Sequence, residues 1–513
     1  MAVEGAVYDL VVIGGGINGA GIAREAVGRG LSVLLCEQHD LASHTSSAST
    51  KLIHGGLRYL EHYEFGLVRK ALQEREVLLR AAPHLIVPLR FVMPHAEHLR
   101  SAWLMRAGLF LYDRLGKREL LPASETVDLR SHPAGAPLRA RSRKGYIYSD
   151  AFVDDSRLVV LTALDAALRG ADILTRTRFA SAARSAGYWE ATLRCGSDGT
   201  QRCIRARCIV NATGPWVTDV LRGPLQIESK RQVRAAKGSH LVVPRLFDHD
   251  YAYTLQNDDR RIVFAIPYQS DYTLIGTTDV EYRGDPSDVS VSDEEVAYLC
   301  EAVNRYLAEP IAATDVAWRY SGVRALLEDE TDDLSAVSRD YELELDLGGG
   351  AAPLLSVFGG KITTYRRLAE EALTLLGGPL GTSTPPWSAA APLPGGDMPG
   401  ADFGAFQADL RRRYPWLPAG LARRYARAYG TRAEKLLADA RSVADLGEEI
   451  GDGLFEAEAR YLAFYEWALT AEDVLWRRSK LGLRASPDTA RRLDAWLSSY
   501  RGATGAGRAL QCA

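Results

Sequence analysis

Apolar positions near the start of the chain fall into two unbroken runs separated by a periodic stretch. Val7–Ile13 (VYDLVVI) is apolar at almost every position and predicts a buried strand; residues 31–36 (LSVLLC) predict a second. Residues 17–29 between them have helical spacing, and the turn into that helix reads Gly14-x-Gly16-x-x-Gly19. The second strand ends in Glu37, 21 residues beyond Gly16. Two later stretches repeat the strand-then-glycine pattern. Residues 208–216 (CIVNATGPW) run from an apolar strand into Asn-Ala-Thr213-Gly214. Residues 355–368 (LSVFGGKITTYRRL) run from a strand into Gly359-Gly360, and Lys361 then opens a helix with Thr363 and Thr364 in its first turn.

Elements of one kind placed so far apart imply a discontinuous domain, which we assign to residues 1–85, 140–230 and 345–390. Residues 86–139 and 231–344 form a second domain. There KGSHLVVP, RRIVFAIPYQ and YTLIGTTDVEY are short runs rich in β-branched and aromatic residues, divided by turn signals at Asn257-Asp258-Asp259 and Gly284-Asp285-Pro286. They predict an antiparallel sheet. The acidic run 285–295 lacks the spacing of a calcium loop and reads as a solvated segment. After Pro392-Leu-Pro-Gly-Gly the pattern is helical through residues 391–513, and Thr470-Ala-Glu-Asp473 resembles a helix-start cap.

Composition narrows the class. A chain of 513 residues exceeds one hydrophobic core, and 47% hydrophobic with 25% charged residues is the make-up of a globular protein. A net charge of −3 gives no electrostatic case for nucleic acid. The six cysteines form no CxxC pair or zinc-like spacing, which reads as scattered thiols in a reducing compartment. An apolar strand arrives too soon for a signal peptide, and no uncharged run is long enough for a membrane span. Residues 101–115 (SAWLMRAGLFLYDRL) allow two readings. One is a helix lying flat on a membrane, with Trp103, Leu104, Leu109, Phe110 and Leu111 inserted and Arg100, Arg106, Lys117 and Arg118 near the headgroups. The other is an amphipathic helix packed on the core.

The glycine pattern supplies the first chemistry. Gly14 permits a tight turn, Gly16 lets a pyrophosphate reach the backbone, and Gly19 lets helix and strand pack closely. The helix N-terminus then faces the phosphate charge, and Glu37 is placed for a ribose hydroxyl. FAD is favoured over NAD by the following run, SHTSSASTK (43–51), whose hydroxyls, including Ser47 and Thr50, can wrap a pyrophosphate and ribityl chain. Thr213-Gly214 and Gly359-Gly360 approach the same dinucleotide, and amides around Thr363 can stabilise negative charge on a reduced flavin. Within STKLIHGGLRYLE (49–61), Gly55 and Gly56 separate His54 from Arg58 and Tyr59. We expect His54-Gly-Gly to lay backbone against the flavin and to aim Arg58 and Tyr59 at a substrate. The fold class is then α/β: a Rossmann-like FAD-binding domain, an antiparallel-sheet substrate domain and an α-helical C-terminal domain.

These stretches resemble one family, the FAD-dependent glycerol-3-phosphate dehydrogenases of the D-amino-acid-oxidase-like flavoenzyme superfamily. IGGGINGAGIAREA matches the superfamily broadly. IHGGLRYLE, SGVR with SRDY, and ALTAEDVLWRRSKLGL are far more specific, and the matches run from residue 8 to about residue 483. Ala325 stands where the family pattern has proline, and Tyr268 where it has tryptophan; neither change removes a charged group. The resemblance implies oxidation of glycerol 3-phosphate at C2 to dihydroxyacetone phosphate, with electrons passed from FAD to a membrane quinone. The FAD reads as non-covalent because no attachment histidine or cysteine stands out. The resemblance also implies monotopic attachment to the cytoplasmic face of the membrane, with a homodimer as one open assembly. Arg58, Arg324, Arg339 and Lys361 would supply cations for the phosphate and the developing charge, and Tyr59 a hydroxyl donor. Either His240 or Lys361 would take the C2 hydroxyl proton. Rival readings are a glycerol-3-phosphate oxidase using oxygen and a related amino-acid or 2-hydroxy-acid oxidoreductase.

Overall fold

The computed structural model describes residues 7–95, 101–139, 143–185, 187–196, 198–229, 231–259, 261–327 and 340–504. Its first sheet contains the strands Tyr341–Asp346, Leu354–Gly359, Gln201–Asn211, Val7–Ile13, Val33–Cys36 and Asp172–Leu174 in that spatial order. The four pairings from Leu354–Gly359 to Asp172–Leu174 are parallel, and Tyr341–Asp346 joins antiparallel. Burial on both faces explains the unbroken apolar runs. Leu10 and Val12 face a layer of helices, Ile17–Gly28, Asp155–Leu168 and Tyr365–Leu380. Val11 and Ile13 face the opposite way, onto Trp189, Phe179 and Leu221. The alternation is the two-residue period of a strand, here apolar in both phases.

The second sheet is mainly antiparallel. Its longest pairing sets Val233–Pro244 against Trp318–Leu327, with His240 opposite Tyr320 and Ala236 opposite Arg324. Tyr272–Gly276, Ile262–Tyr268, Ala252–Gln256, Ile86–Pro94 and Lys144–Val153 extend it, and Leu52–Ile53 closes the edge. Helix Asp293–Asn304 covers one face, and helices Phe65–Ala81 and Ala102–Leu115 the other. Two strands from stretches assigned to the cofactor portion, Leu52–Ile53 and Lys144–Val153, therefore belong to this sheet, while Tyr341–Asp346 belongs to the first. The chain crosses between the sheets at residues 36–54, and the cavity opens beneath that crossing.

The acidic run 285–295 is solvated, as expected, at Asp285, Asp288, Asp293 and Glu294, and departs from that reading at its end. Ser292 caps helix Asp293–Asn304 in a reciprocal capping box with Glu295, and the buried Glu295 carboxylate accepts from Ser239 and Thr278 hydroxyls, both at 2.8 Å. Lys237 completes its charge balance at 2.7 Å. Spacing alone reveals the cap but not the cation 58 residues upstream.

Residues 102–115 do form a helix. Leu109 and Tyr112 are buried against Leu72, so Leu109 cannot insert into a membrane. Trp103 (71%), Phe110 (57%) and Leu104 (47%) are exposed. No helix among the described residues is long and apolar enough to cross a membrane.

The C-terminal region holds the helices Phe403–Arg413, Ala419–Tyr429, Glu456–Tyr465 and Pro487–Thr504 around a core of its own that includes Leu410, Tyr425, Leu462 and Leu493. Thr470 and Asp473 exchange the expected cap bonds: the Thr470 hydroxyl accepts from Asp473 N–H, and the Asp473 carboxylate from Thr470 N–H.

Candidate active site

A cavity of about 440 Å³ lies between the sheets. Its first end is made from backbone. Gly14 (φ +109°) turns the chain out of the strand, and helix Ile17–Gly28 begins with its amides toward the cavity. A Cβ at Gly19 would stand 1.9 Å from the Gly14 carbonyl oxygen, so only glycine lets this helix approach the strand. The carboxylate of Glu37 accepts from Gly15 N–H at 2.7 Å and His39 N–H at 2.8 Å, which fixes the turn. Burial pushes the Glu37 carboxyl up, and those two bonds oppose the shift. The Thr213 hydroxyl donates to Asn211, and Gly214, Gly359 and Gly360 complete the wall.

The fit to a dinucleotide can be judged from these groups. Asn18 donates its amide to the Gly359 carbonyl at 3.1 Å, while its Oδ1 is buried without a partner beside the helix N-terminus. Ser46 holds Ile17 N–H at 3.0 Å. A glycine-rich turn at a helix N-terminus, an unsatisfied acceptor and a hydroxyl-lined loop form a cradle for a pyrophosphate and a polar chain.

The other end is made from side chains. His240 Nε2 lies 2.9 Å from the Thr50 hydroxyl, and its ring stacks on Tyr320 at 4.8 Å with planes 12° apart. Nδ1 is buried without a partner. Burial first, then the nearby Lys51 and Arg324 cations, holds this imidazole well below the usual histidine range, so it is neutral. Arg324 reaches Asp279 at 3.2 Å and the Thr278 carbonyl at 3.3 Å with one nitrogen. The Lys361 ammonium sits 4.0 Å from the centre of the Tyr59 ring. His54 N–H donates to the Thr363 hydroxyl at 3.3 Å, joining the two ends.

Most of the residues singled out in the sequence share this cavity: Gly14, Gly16, Glu37, Thr50, His54, Tyr59, Thr213, Gly214, His240, Arg324, Gly359, Gly360, Lys361 and Thr363 all line it. Gly19, Ser47, Gly55, Gly56 and Arg58 are not among its lining residues. Arg339 lies outside the described residues. Ser47 turns back to the His44 carbonyl and accepts from Lys51 through its own carbonyl. The glycine pair has a different role from the one expected. Gly55 packs where a Cβ would meet Leu72 at 2.5 Å, and its N–H donates to the Tyr112 hydroxyl at 2.8 Å. Gly56 is left-handed (φ +75°) and starts the turn Leu57–His62 that carries Tyr59 to the wall. Only His54 of the trio reaches the cavity.

Sequence reasoning missed Asn18, Ser46, Tyr320 and the Lys51–Asp155 pair. Lys51 and Asp155 are both fully buried and 2.7 Å apart beneath Thr50. The signals were present but mute: a lysine closing the hydroxyl run, and an acid at a helix start.

A dinucleotide cradle joined to a cationic pocket with a neutral histidine defines a flavin-dependent oxidoreductase. Residues 9–366 match the FAD dependent oxidoreductase family, and residues 388–498 match the C-terminal domain of alpha-glycerophosphate oxidase. The chain belongs to the FAD-dependent oxidoreductases, and FAD is its cofactor. It is 56% identical to a glycerol-3-phosphate dehydrogenase of Pseudomonas aeruginosa, covering 96% of this chain and 95% of that one. A D-erythritol 1-phosphate dehydrogenase of Brucella abortus is 52% identical, covering 92% and 94%. The crystal structure of the glycerol-3-phosphate dehydrogenase from Bacillus halodurans complexed with FAD superposes with a TM-score of 0.79 at 26% identity, over 99% of this chain and 94% of that one.

Proposed function

We propose that the protein oxidises sn-glycerol 3-phosphate at C2 to dihydroxyacetone phosphate and passes the electrons to a membrane quinone. The observation that carries this reading is the convergence of Arg324 and Lys361 on the wall that also holds His240 and Thr50. Two cations beside one pocket suit a phosphate dianion and a developing alkoxide, where a carboxylate substrate needs only a single arginine. When bound, FAD supplies the acceptor for the hydride that leaves C2.

The chain's own residues manage the proton and the charge. Thr50 and His240 form a short relay: the hydroxyl accepts the proton from the C2 hydroxyl as it donates its own to His240 Nε2. The neutral imidazole has the lone pair this needs, and the neighbouring Arg324 cation opposes the charge left on oxygen. Lys361 lies at the flavin-side helix start and steadies negative charge there. Tyr59 is held under Lys361 and offers its hydroxyl to the substrate. Arg58 and Arg339 remain candidates for the phosphate from outside the described wall.

The exposed surface supports the membrane part of this reading. Trp103, Leu104, Phe110 and Leu111 are exposed on one helix flanked by Arg106, Arg114, Lys117 and Arg118, which suits an anionic membrane surface on the cytoplasmic side. Co-flotation with anionic vesicles, lost in Trp103→Ser/Phe110→Ser, tests that contact.

The Brucella relative favours a second reading, a four-carbon polyol phosphate on the same site. Anaerobic addition of each phosphate separates them. Rapid bleaching of the flavin band by glycerol 3-phosphate, reversed by a soluble quinone faster than by oxygen, supports the first reading. Bleaching by the erythritol phosphate at a higher kcat/KM supports the second, and reversal mainly by oxygen marks an oxidase.

A further inference from the structure

The C-terminal region does not line the cavity, yet one segment of it reaches both ends of the site from behind. Residues 473–480 form a widened helical turn followed by Ser479 and Lys480. Two consecutive arginines point from this turn to one acid, the buried Asp40, which leads into the hydroxyl run 43–51 assigned to the cofactor. Arg477 donates through Nε at 2.6 Å, and Arg478 grips both carboxylate oxygens at 2.6 and 2.8 Å. The Asp40 carbonyl in turn accepts from the Ser43 hydroxyl at 2.6 Å, and Ser43 lies on the cavity wall. Asp473 extends the hold: it binds Arg176, whose backbone N–H donates to the His39 carbonyl at 2.7 Å.

Lys480 and Trp476 make the other connections. The Lys480 ammonium, 5% exposed, donates to the Ser156 hydroxyl at 2.7 Å. Ser156 N–H donates to Asp155, and Asp155 accepts from Lys51 and from both the N–H and hydroxyl of Ser49. Thr50, held between them, bonds His240. The aromatic route arrives at the same place. Trp476 stacks on Trp318 at 4.5 Å, Trp318 meets Tyr320 at 4.8 Å, and Tyr320 stacks on His240 at 4.8 Å. The Tyr320 hydroxyl then donates to the Ser49 carbonyl at 2.9 Å, closing the two routes on each other.

We propose that residues 473–480 are a clamp that sets the cofactor-wrapping loop through Asp40 and the Thr50–His240 pair through Trp476 and Lys480. Trp476, Arg477, Arg478 and Lys480 are therefore positioning residues: none of them lines the cavity, and they act through Asp40, Ser49 and Tyr320. The clamp's catalytic half rests on the substrate reading above; its cofactor half does not. Bidentate arginine pairs and stacked rings suit this purpose because each fixes orientation as well as distance. A displacement of about 1 Å at the reacting groups costs on the order of 100-fold in rate.

The test uses the full-length holoenzyme with two kinds of variant. Asp40→Asn should weaken FAD binding about tenfold, read from flavin fluorescence on dilution, because a neutral amide leaves two buried guanidinium groups under-compensated. Trp476→Leu should keep its FAD and lose about tenfold in kcat with KM for glycerol 3-phosphate nearly constant, and Trp476→Phe should restore most of the rate. If Asp40→Asn does not fold, the Trp476 pair decides alone. Lower melting temperatures in both variants, with FAD affinity and kcat of the folded protein unchanged, would reduce the segment to interdomain packing and overturn the proposal. If wild-type flavin is not bleached by glycerol 3-phosphate, the substrate reading fails, while the Asp40 measurement still tests the clamp.

Discussion

The two ends of the cavity are built from different parts of the polypeptide. At the dinucleotide end the working groups are backbone: the start of helix Ile17–Gly28, close-packed glycines, the Gly15 amide held by Glu37 and the Gly359 carbonyl held by Asn18. At the other end they are side chains, His240, Arg324, Lys361 and Tyr59, brought together from four distant segments. Backbone chemistry is the same in every residue, so the first end depends on shape and fails when shape fails. Side-chain chemistry is local, so the second end should lose one function at a time.

The sharpest break in that contrast is Gly19→Val. Its Cβ has no room, being 1.9 Å from the Gly14 carbonyl, so helix and strand must separate and the amides leave the pyrophosphate. Overpacking of roughly 3 kcal/mol, delivered to the cofactor site, weakens FAD binding about 100-fold. The flavin absorbance of the purified protein and an FAD titration measure it; a fully yellow variant would refute the shape argument.

Next comes Arg324→Met. The same contrast expects full flavin content with kcat/KM down on the order of 100-fold, the scale of a lost electrostatic partner in the transition state. Arg324→Lys should recover only part of it, because a lysine cannot keep Asp279 and a substrate oxygen on one planar fork. Stopped-flow bleaching of the flavin band gives both values. Loss of FAD in Arg324→Met would erase the division between the ends.

A smaller effect probes the border. Gly56→Ala forces a left-handed residue that carries a Cβ, costing about 1–2 kcal/mol, and crowds the Tyr59 ring. Because Gly56 does not line the cavity, FAD stays, while Tyr59 and Lys361 shift and kcat/KM falls about tenfold. A drop in flavin content instead would return the glycine pair to the cofactor.

These expectations also mark what the sequence could tell. The strand Val7–Ile13, the glycine turn, Glu37 and the two later strand–glycine elements were legible because each is a local pattern with one steric or periodic cause. His240, Arg324 and Lys361 were legible only as members of motif stretches. His240 and Arg324 meet through the pairing of Val233–Pro244 with Trp318–Leu327, and Lys361 joins them from beyond strand Leu354–Gly359 of the other sheet, which no local rule encodes. Gly55 and Gly56 were recognised as unusual and given the wrong neighbour: glycine announces tight space or a rare φ, not what fills the space. Lys51 with Asp155 and Asp40 with Arg477 and Arg478 were invisible for the same reason, since partners 104 to 438 residues apart leave no spacing to read.

The smallest effect is the flatness of a pH profile, and it bears on the side-chain end alone. A histidine in its ordinary range would gain a proton near pH 6.5 and stop accepting one from Thr50. His240 faces Lys51, Arg324, the Tyr320 ring and the Thr50 hydroxyl, none of them anionic, and burial among them keeps its folded value well below 6.5. The rate of flavin reduction should therefore show no break from this group between about pH 8 and pH 6. Stability carries the matching sign. Below about pH 6.5 the unfolded chain binds a proton at this histidine and the folded chain does not, so stability falls as pH falls toward the depressed folded value, by at most about 1.4 kcal/mol per pH unit. Above 6.5 neither state is protonated and the contribution vanishes. His240→Gln should remove that slope from denaturant melts between about pH 6.5 and pH 5. A kinetic break near 6.5 that disappears in the same variant would mean an anion reaches the imidazole in the working enzyme. The substrate phosphate is the anion available to do so, and the relay would then run through a charged histidine.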